Sequence, residues 1–563
     1  MPPAAKREAI RRRRGRWRHL DRGSLPVIGV AFCLALPVLT VLLTALQPAG
    51  PVWRHLADTV LADYVLNSLW LMLGVGAGTL LIGVPAAWLV SLHEFPGRRW
   101  FEWALLLPMA VPAYIIAYTY TGLLDYAGPL QSVLREQFHW SRQDYWFPEI
   151  RSLPGAVIML ALVLYPYVYL LARAAFLDQS VAVSEVSRTL GAGPWRRFVA
   201  VSLPMARPAL IAGVSLVQME ALADYGTVQY FGVGTFTTGI FRVWYGMNDA
   251  VAAAQLAAQL LLFVFALLVF ERVSRRRARF HHAGNRHSRP RRQPLVGRGG
   301  ALASVACAMP LLFGFVIPAA QLAIWALRTA PRMMDGRFWP LLAHSLLLAS
   351  GAALLILALA LLLGYGLRLR PHPLVRLAVR AAGLGYAVPG TVVAIGVLLP
   401  FAAIDRGVDG WARAWFGVST GLLLSGTVAA VLFAYCARFL PVALQSVEAG
   451  LSRIRPSMDD AARALGSSPG GVLGRIHLPM LRGSLWVALL LVFVDVLKEL
   501  PATLILRPFN FNTLAVRTYE LASDERLADS ASFALAIVLA GIGPVILLSR
   551  AIGRTRTDYD AVP

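Results

Sequence analysis

Twelve stretches of this sequence are long and apolar enough to cross the hydrocarbon core of a bilayer as helices, which needs about twenty residues each. They fall near 25–47, 65–91, 101–122, 154–175, 205–229, 250–270, 300–327, 341–367, 377–400, 420–437, 482–506 and 530–549. Two are interrupted, the third by Pro108 and Pro112 and the ninth by Pro389. A chain with so many spans is predicted to be an all-α polytopic membrane protein. The composition agrees: 57% of residues are hydrophobic and 15% charged, against about 25% charged in soluble domains. The stretch from Ser24 to Leu46 follows a basic N-terminus, yet it is too long for a signal-peptide core and lacks a clear small-residue cleavage site. It therefore predicts a retained first helix.

The net charge of +23 would suggest nucleic acid if it lay on one face of a soluble domain. Here the arginines cluster in short segments between spans, so no nucleic-acid partner is expected. Arg11 to Arg14, the segment around Arg275, Arg276, Arg277, Arg291 and Arg292, and Arg550, Arg554 and Arg556 fall on one side of a twelve-span topology. The positive-inside rule makes that side cytoplasmic and puts both termini there. His281, His282 and His287 lie in the same Arg-rich segment and read as part of a solvated linker, because neighbouring arginines repel a cation. Cys33, Cys307 and Cys436 are far apart and offer no disulfide framework or zinc spacing. No metal site is firm.

One polar segment occurs twice, 275 residues apart. The first copy has Glu185, Val186 and Ser187, then Gly191, Val201, Leu203 and Pro204. The second has Asp460, Ala461 and Ala462, then Gly466, Ile476, Leu478 and Pro479. Arg188/Arg463, Leu190/Leu465 and Pro194/Pro469 keep the same offset. Each copy predicts a short helix ending at the glycine, which supplies a left-handed turn, then a second short helix opened by proline. Trp195 and Phe198 in the first copy, and Val472, Leu473 and Ile476 in the second, are candidates to enter a partner's groove.

The duplication runs further. Asn67-Ser68-Leu69 matches His344-Ser345-Leu346, and Ala110-Val111-Pro112 matches Ala387-Val388-Pro389, at an offset of 277; Phe236, Thr238 and Arg242 match Phe511, Thr513 and Arg517 at 275. The predicted organisation is a basic N-terminus (1–24), a first six-helix unit (25–270, with its polar segment at 180–204), an Arg-rich linker (271–299), a second unit (300–550, segment 455–479) and a tail (551–563). Halves of even span number share one topology, so a two-fold axis along the membrane normal should relate them, with any substrate path between.

The pattern of an acid and two alanines, glycine six residues after the acid and Ile-x-Leu-Pro ten residues later resembles the signature of permease subunits of bacterial ATP-binding-cassette importers. The runs Ala221–Ile240 and Val496–Phe511 look like the fused permeases of ferric-iron importers. This resemblance implies two tandem type I permease domains in the bacterial inner membrane. It implies that Glu185, Gly191, Leu203, Pro204, Asp460, Ala461, Ala462, Gly466, Ile476, Leu478 and Pro479 form coupling segments. It also implies as partners two copies of a cytoplasmic ATPase, a periplasmic or lipid-anchored iron-binding protein, and membrane lipid. Thiamine-importer permeases share the fused arrangement and are the alternative within this class.

A P-loop needs lysine after glycine, but Lys6 and Lys498 follow Ala5 and Leu497. No cofactor is expected in the chain, ATP being used by the partners. A gradient-driven secondary transporter is the alternative from another class, although it has no evident need for two docking segments; a membrane enzyme lacks any recognisable reactive constellation.

Charges inside spans point to the path. Glu220 and Asp224, four apart, are predicted on one helix face of the fifth span, with Asp495, Lys498 and Glu499 as counterparts. A carboxylate at the centre of a lipid-facing helix costs about 2.5–3.5 kcal/mol, so these groups should face a cavity. With Tyr225 they would suit a hard trivalent cation. The alternative is structural: Lys498 pairs with Asp495 or Glu499, and the remaining acids accept backbone or hydroxyl donors.

Overall fold

The structure, a computed structural model, describes residues 22–179, 187, 189–191, 193–276 and 292–557. Among them eleven helices are long and apolar enough to cross a membrane; a further span is the pair Arg98–Ala110 and Ala113–Phe138, bent by 90°. Helices satisfy their own backbone groups, which lipid cannot do. In the first half the long helices are α1 (Leu25–Ala45), α2 (Leu61–Leu92), α3 (Ala113–Leu124), α4 (Leu153–Leu177), α5 (Leu203–Ala223) and α6 (Ala250–Arg276). In the second they are α7 (Arg298–Met333), α8 (Phe338–Leu369), α9 (Gly390–Phe416), α10 (Val428–Arg453), α11 (Leu478–Leu497) and α12 (Leu527–Thr557).

The two proline-interrupted spans break alike. A residue before proline is pushed out of the helical region, and Val111 and Val388 are extended, with ψ of 120° and 122°. Pro112 and Pro389 then cap α3 and α9. The predicted span 377–400 is corrected accordingly: Pro373–Ala382 is a separate short helix, and the span runs over Gly390–Phe416. The predicted span 420–437 also moves, to Val428–Arg453, because Gly421 and Gly426 turn the chain at φ of 62° and 73° ahead of it.

The halves interlock through their first helices. The Pro37 carbonyl of α1 lies against Gly396 of α9, where a side chain would collide. In the reverse sense, the Tyr120 hydroxyl donates to the Phe313 carbonyl of α7 at 2.7 Å. After the linker, Gln293–Pro294 pairs in parallel with His93–Glu94 at the end of α2.

One matched triplet is corrected. Thr235 and Thr513 cap the equivalent helices Phe236–Phe241 and Leu514–Ser523, an offset of 278. The Ser68 hydroxyl accepts from the Phe236 amide (3.3 Å), and the Ser345 hydroxyl from the Leu514 amide (2.7 Å). Three extra residues before Thr513 move the structural register away from the 275 offset that pairs Thr238 with Thr513.

Candidate coupling segments and translocation cavity

Both repeated segments lie at the same ends of equivalent helices. In the second, helix Pro456–Ala464 ends at Leu465, and Gly466 takes φ +82°. The Ser467 amide donates back to the Ala462 carbonyl at 3.0 Å, closing the turn. Ser468 caps the helix Pro469–Val472, a π-turn covers Leu473–His477, and α11 follows with Pro479 in its first turn. In the first, Gly191 takes φ +76°. Helix Pro194–Arg197, π-turn Phe198–Ser202 and α5, with Pro204 in its first turn, follow at the same 275-residue offset. Glu185 lies outside the described residues.

Of the predicted apolar tips Trp195 is exposed, but others are not. Phe198 is buried against Trp88, with ring centroids 4.8 Å apart, and Val472 is buried too. Leu190 and Leu465, each one residue before the left-handed glycine, are 80% and 87% exposed, and Trp195 is 71% exposed. Asp460 and Ala461 are exposed and Ala462 is buried, while Leu203, Ile476 and Leu478 are half-buried.

The buried acid of the second segment is Asp459, one residue before the signature acid. It pairs with Arg368 of α8 and His477, each at 2.8 Å. Arg368 also donates to the Ile454 carbonyl at 3.0 Å, and the Tyr365 hydroxyl donates to the Pro469 carbonyl at 2.7 Å. Burial works to raise the Asp459 carboxyl, but the Arg368 guanidinium and the His477 ring hold it below the usual carboxylate range. At the repeat offsets Arg368 and His477 correspond to Ser91 and Ser202; there Phe198 packs on Trp88 and Gln179 donates to the Ser202 carbonyl at 2.8 Å. That mismatch between otherwise similar halves is the signal that could have found this cluster.

At the far ends of α5 and α11 the chain breaks. The helix α5 stops at Ala223 and Asp224 is extended, with ψ 134°, so Glu220 and Asp224 do not share a helix face as predicted. Asp224 instead accepts from the amides of Thr227 and Val228 and from the Thr227 hydroxyl, all at 3.1 Å. It thereby caps the short helix Gly226–Tyr230, where a carboxylate also meets the positive end of the peptide dipoles. Glu499 does the same for Pro501–Leu506, accepting from the Ala502 amide at 3.1 Å.

Glu499 also pairs with Arg438 at 3.0 Å, both side chains being buried, and Lys498 pairs with Asp495 at 2.9 Å. Tyr386 of the second half faces Glu220 of the first. Tyr225 meets Tyr519 across the halves, hydroxyl to hydroxyl at 3.2 Å. Glu220, Asp224, Tyr225, Asp495, Lys498 and Glu499 all line one cavity of 100 Å³ between the halves. A second of 240 Å³ begins at Tyr167, Tyr386, Asp495 and Lys498 and extends past Gln445, Ser446 and Leu490 toward the repeated segments. The paired-charge arrangement and the cavity-lining one therefore hold together. Among the described residues no group of three or more His, Cys, Asp or Glu could hold a metal ion.

Arg438 escaped the sequence reading because the predicted span stopped at 437; its repeat position, Val163, lies inside a span and gave the clue. Beyond the cavity the halves are closed. Arg151 donates through two nitrogens to Glu525, both at 2.9 Å, and the Tyr245 hydroxyl donates to the Leu504 carbonyl at 3.1 Å.

Residues 79–279 match the family described as binding-protein-dependent transport system inner membrane component. Over that stretch the chain is similar to this permease family. The chain is 26% identical over 542 residues to the Fe(3+)-transport system permease protein FbpB 2 of Haemophilus influenzae, covering 94% of this chain and 97% of that one. It is 26% identical over 231 residues to the molybdenum transport system permease protein ModB of Haemophilus influenzae, covering 39% of this chain and 98% of ModB. The sulfate transport system permease protein CysW of Escherichia coli is 29% identical over 224 residues, which is 38% of this chain and 70% of CysW. Nearly all of ModB thus fits within two fifths of this permease, as expected of a chain holding more than one permease unit.

Proposed function

We propose that this permease is the fused transmembrane subunit of an ATP-binding-cassette importer that carries Fe³⁺ from a periplasmic or lipid-anchored binding protein into the cytoplasm. The observation that carries the reading is the matched pair of docking segments at one end of a charged cavity between two similar halves. The near full-length likeness to a ferric permease supports iron as the cargo. The arginine distribution supports cytoplasmic termini and cytoplasmic docking segments.

Energy comes from elsewhere. Neither lysine follows glycine, as a P-loop requires, so two copies of a separate ATPase supply it, one at each segment. Leu190 and Leu465 stand on rigid turns, as helix-in-groove docking requires. When ATP closes the ATPase dimer, the two segments are drawn together. The interlocked halves then pivot and part at the Arg151–Glu525 end, where the binding protein delivers its ion. Hydrolysis returns the chain to the arrangement described, closed at that end and hollow toward the cytoplasm. In the cavity, Glu220, Asp224, Tyr225, Asp495, Lys498 and Glu499 line the path, and the Lys498–Asp495 and Arg438–Glu499 pairs offset two of its four acids.

Reconstitution in liposomes with the ATPase and the binding protein tests this. Radiolabelled iron should accumulate only with internal ATP, and excess thiamine should not compete. Iron uptake driven by a proton gradient without the ATPase would refute the reading.

A further inference from the structure

Resting on the ferric reading above, we propose that Tyr114, Tyr118, Tyr225 and Tyr519, with Asp224, form a phenolate–carboxylate seat for Fe³⁺ at the end of the cavity away from the coupling segments. Tyr114 and Tyr118 lie four residues apart on α3 and so share one face, with rings 5.6 Å apart. The proline break before α3 turns that face toward the other half. Both side chains are buried, at 4% and 2% exposure, and neither hydroxyl has a hydrogen-bond partner in the structure. An unpaired buried hydroxyl is destabilising, so two side by side call for a reason. The scaffold does not supply it: at the repeat offset of 277 the second half has Thr391 and Ile395.

The surroundings supply oxygen and negative charge. Tyr114 shares the smaller cavity with Asp224 and Tyr225. Tyr118 packs against Tyr114 and Tyr230, with ring centroids 5.6 and 4.5 Å away, and lies within electrostatic reach of Tyr519 and Asp224. The cations Arg438 and Lys498 are engaged by Glu499 and Asp495, which leaves Glu220 and Asp224 as the cavity-lining acids outside those pairs, Asp224 being the one beside Tyr225. The two Asp224 oxygens accept three hydrogen bonds and retain a lone pair. One carboxylate and two phenolates neutralise a trivalent ion, and hard oxygen donors suit it.

Loading the seat involves no electron transfer. Each ligating phenol forms an Fe–O bond and loses its proton to water in the opened vestibule. The Tyr225–Tyr519 hydrogen bond, 3.2 Å across the halves, must part to admit the ion. When it re-forms, it withdraws two donors from the seat and leaves the cavity toward the coupling segments as the way out. The outer seal and the receiving site are thus one group of residues.

The test uses the full permease with a hydrolysis-deficient ATPase and ATP, without binding protein, titrated with ferric nitrilotriacetate. A phenolate-to-iron charge-transfer band should appear in the visible spectrum. The quadruple variant Tyr114→Phe, Tyr118→Phe, Tyr225→Phe and Tyr519→Phe should lose it and weaken binding at least about tenfold, while Tyr145→Phe, outside the seat, keeps it. Cooperative thermal unfolding and co-purification of the quadruple variant with the ATPase show that the fold survives. If wild type takes up iron but shows no band, or the quadruple variant binds and transports iron as wild type does, the seat is refuted and the ferric reading stands. Wild type that transports another solute and no iron refutes the ferric reading itself.

Discussion

Arg438 on α10 and Glu499 at the break after α11 form a buried ion pair at 3.0 Å, and the same carboxylate caps the helix Pro501–Leu506. The pair ties two elements of the second half at the cavity wall. Arg438→Met should destabilise the protein by about 3–5 kcal/mol by stranding a buried charge. Adding Glu499→Gln should recover much of that loss. Thermal unfolding of the two single variants and the double variant in detergent gives the coupling directly.

Docking should depend on the two exposed leucines. Leu190→Asp or Leu465→Asp should each reduce ATPase co-purification and stimulated hydrolysis, and the double variant should abolish both. Both tips point away from the permease core, so its thermal stability should stay within about 0.5 kcal/mol of wild type.

The two repeated segments should respond differently to loss of charge. Asp459→Ala leaves Arg368 and His477 without their buried partner and should cost about 3–5 kcal/mol locally. Hydrogen exchange should rise across Pro456–His477 and stay unchanged across Pro194–Ser202. Equal loosening of both segments would contradict the asymmetry.

Ser68 and Ser345 satisfy the first amides of equivalent helices. Ser68→Ala and Ser345→Ala should each cost about 1 kcal/mol, and the two should add because they serve separate halves. Melting temperatures of the two variants and their combination test this.

Acid should loosen the junction where the linker rejoins the membrane domain. Burial, reinforced by the Arg197 guanidinium, pushes the His93 imidazolium below its ordinary range, against a hydrogen bond with the Trp88 backbone that favours it. The unfolded chain therefore binds more protons below about pH 6.5. Stability rises with pH in that window and falls as pH drops from about 6.5 toward the lowered folded value. Melting curves from pH 7.5 to 5.5 should show a slope that His93→Phe flattens.

Where the sequence reading succeeded, the information was local. Gly191 and Gly466 adopt the left-handed turns expected of glycine at those two matched positions. Pro112 and Pro389 start new helices because a ring on nitrogen dictates the geometry of the residue before it. Where it erred, the deciding partner was distant. Asp224 leaves its helix because its carboxylate serves the amides of the next one, and Phe198 turns inward because Trp88 receives it.

Sequence alone thus determined most of the membrane-spanning helices, the duplication and the two repeated segments, since periodic apolarity, proline and glycine act over a few residues at a time. Only tertiary structure decided which charge meets which. The pairing of Arg438 with Glu499, of Asp459 with Arg368 and His477, and of Tyr225 with Tyr519 joins residues on separate elements. In a buried, poorly screened interior the stability of a charge depends on the partner that packing brings within about 3 Å, and no local pattern specifies that partner.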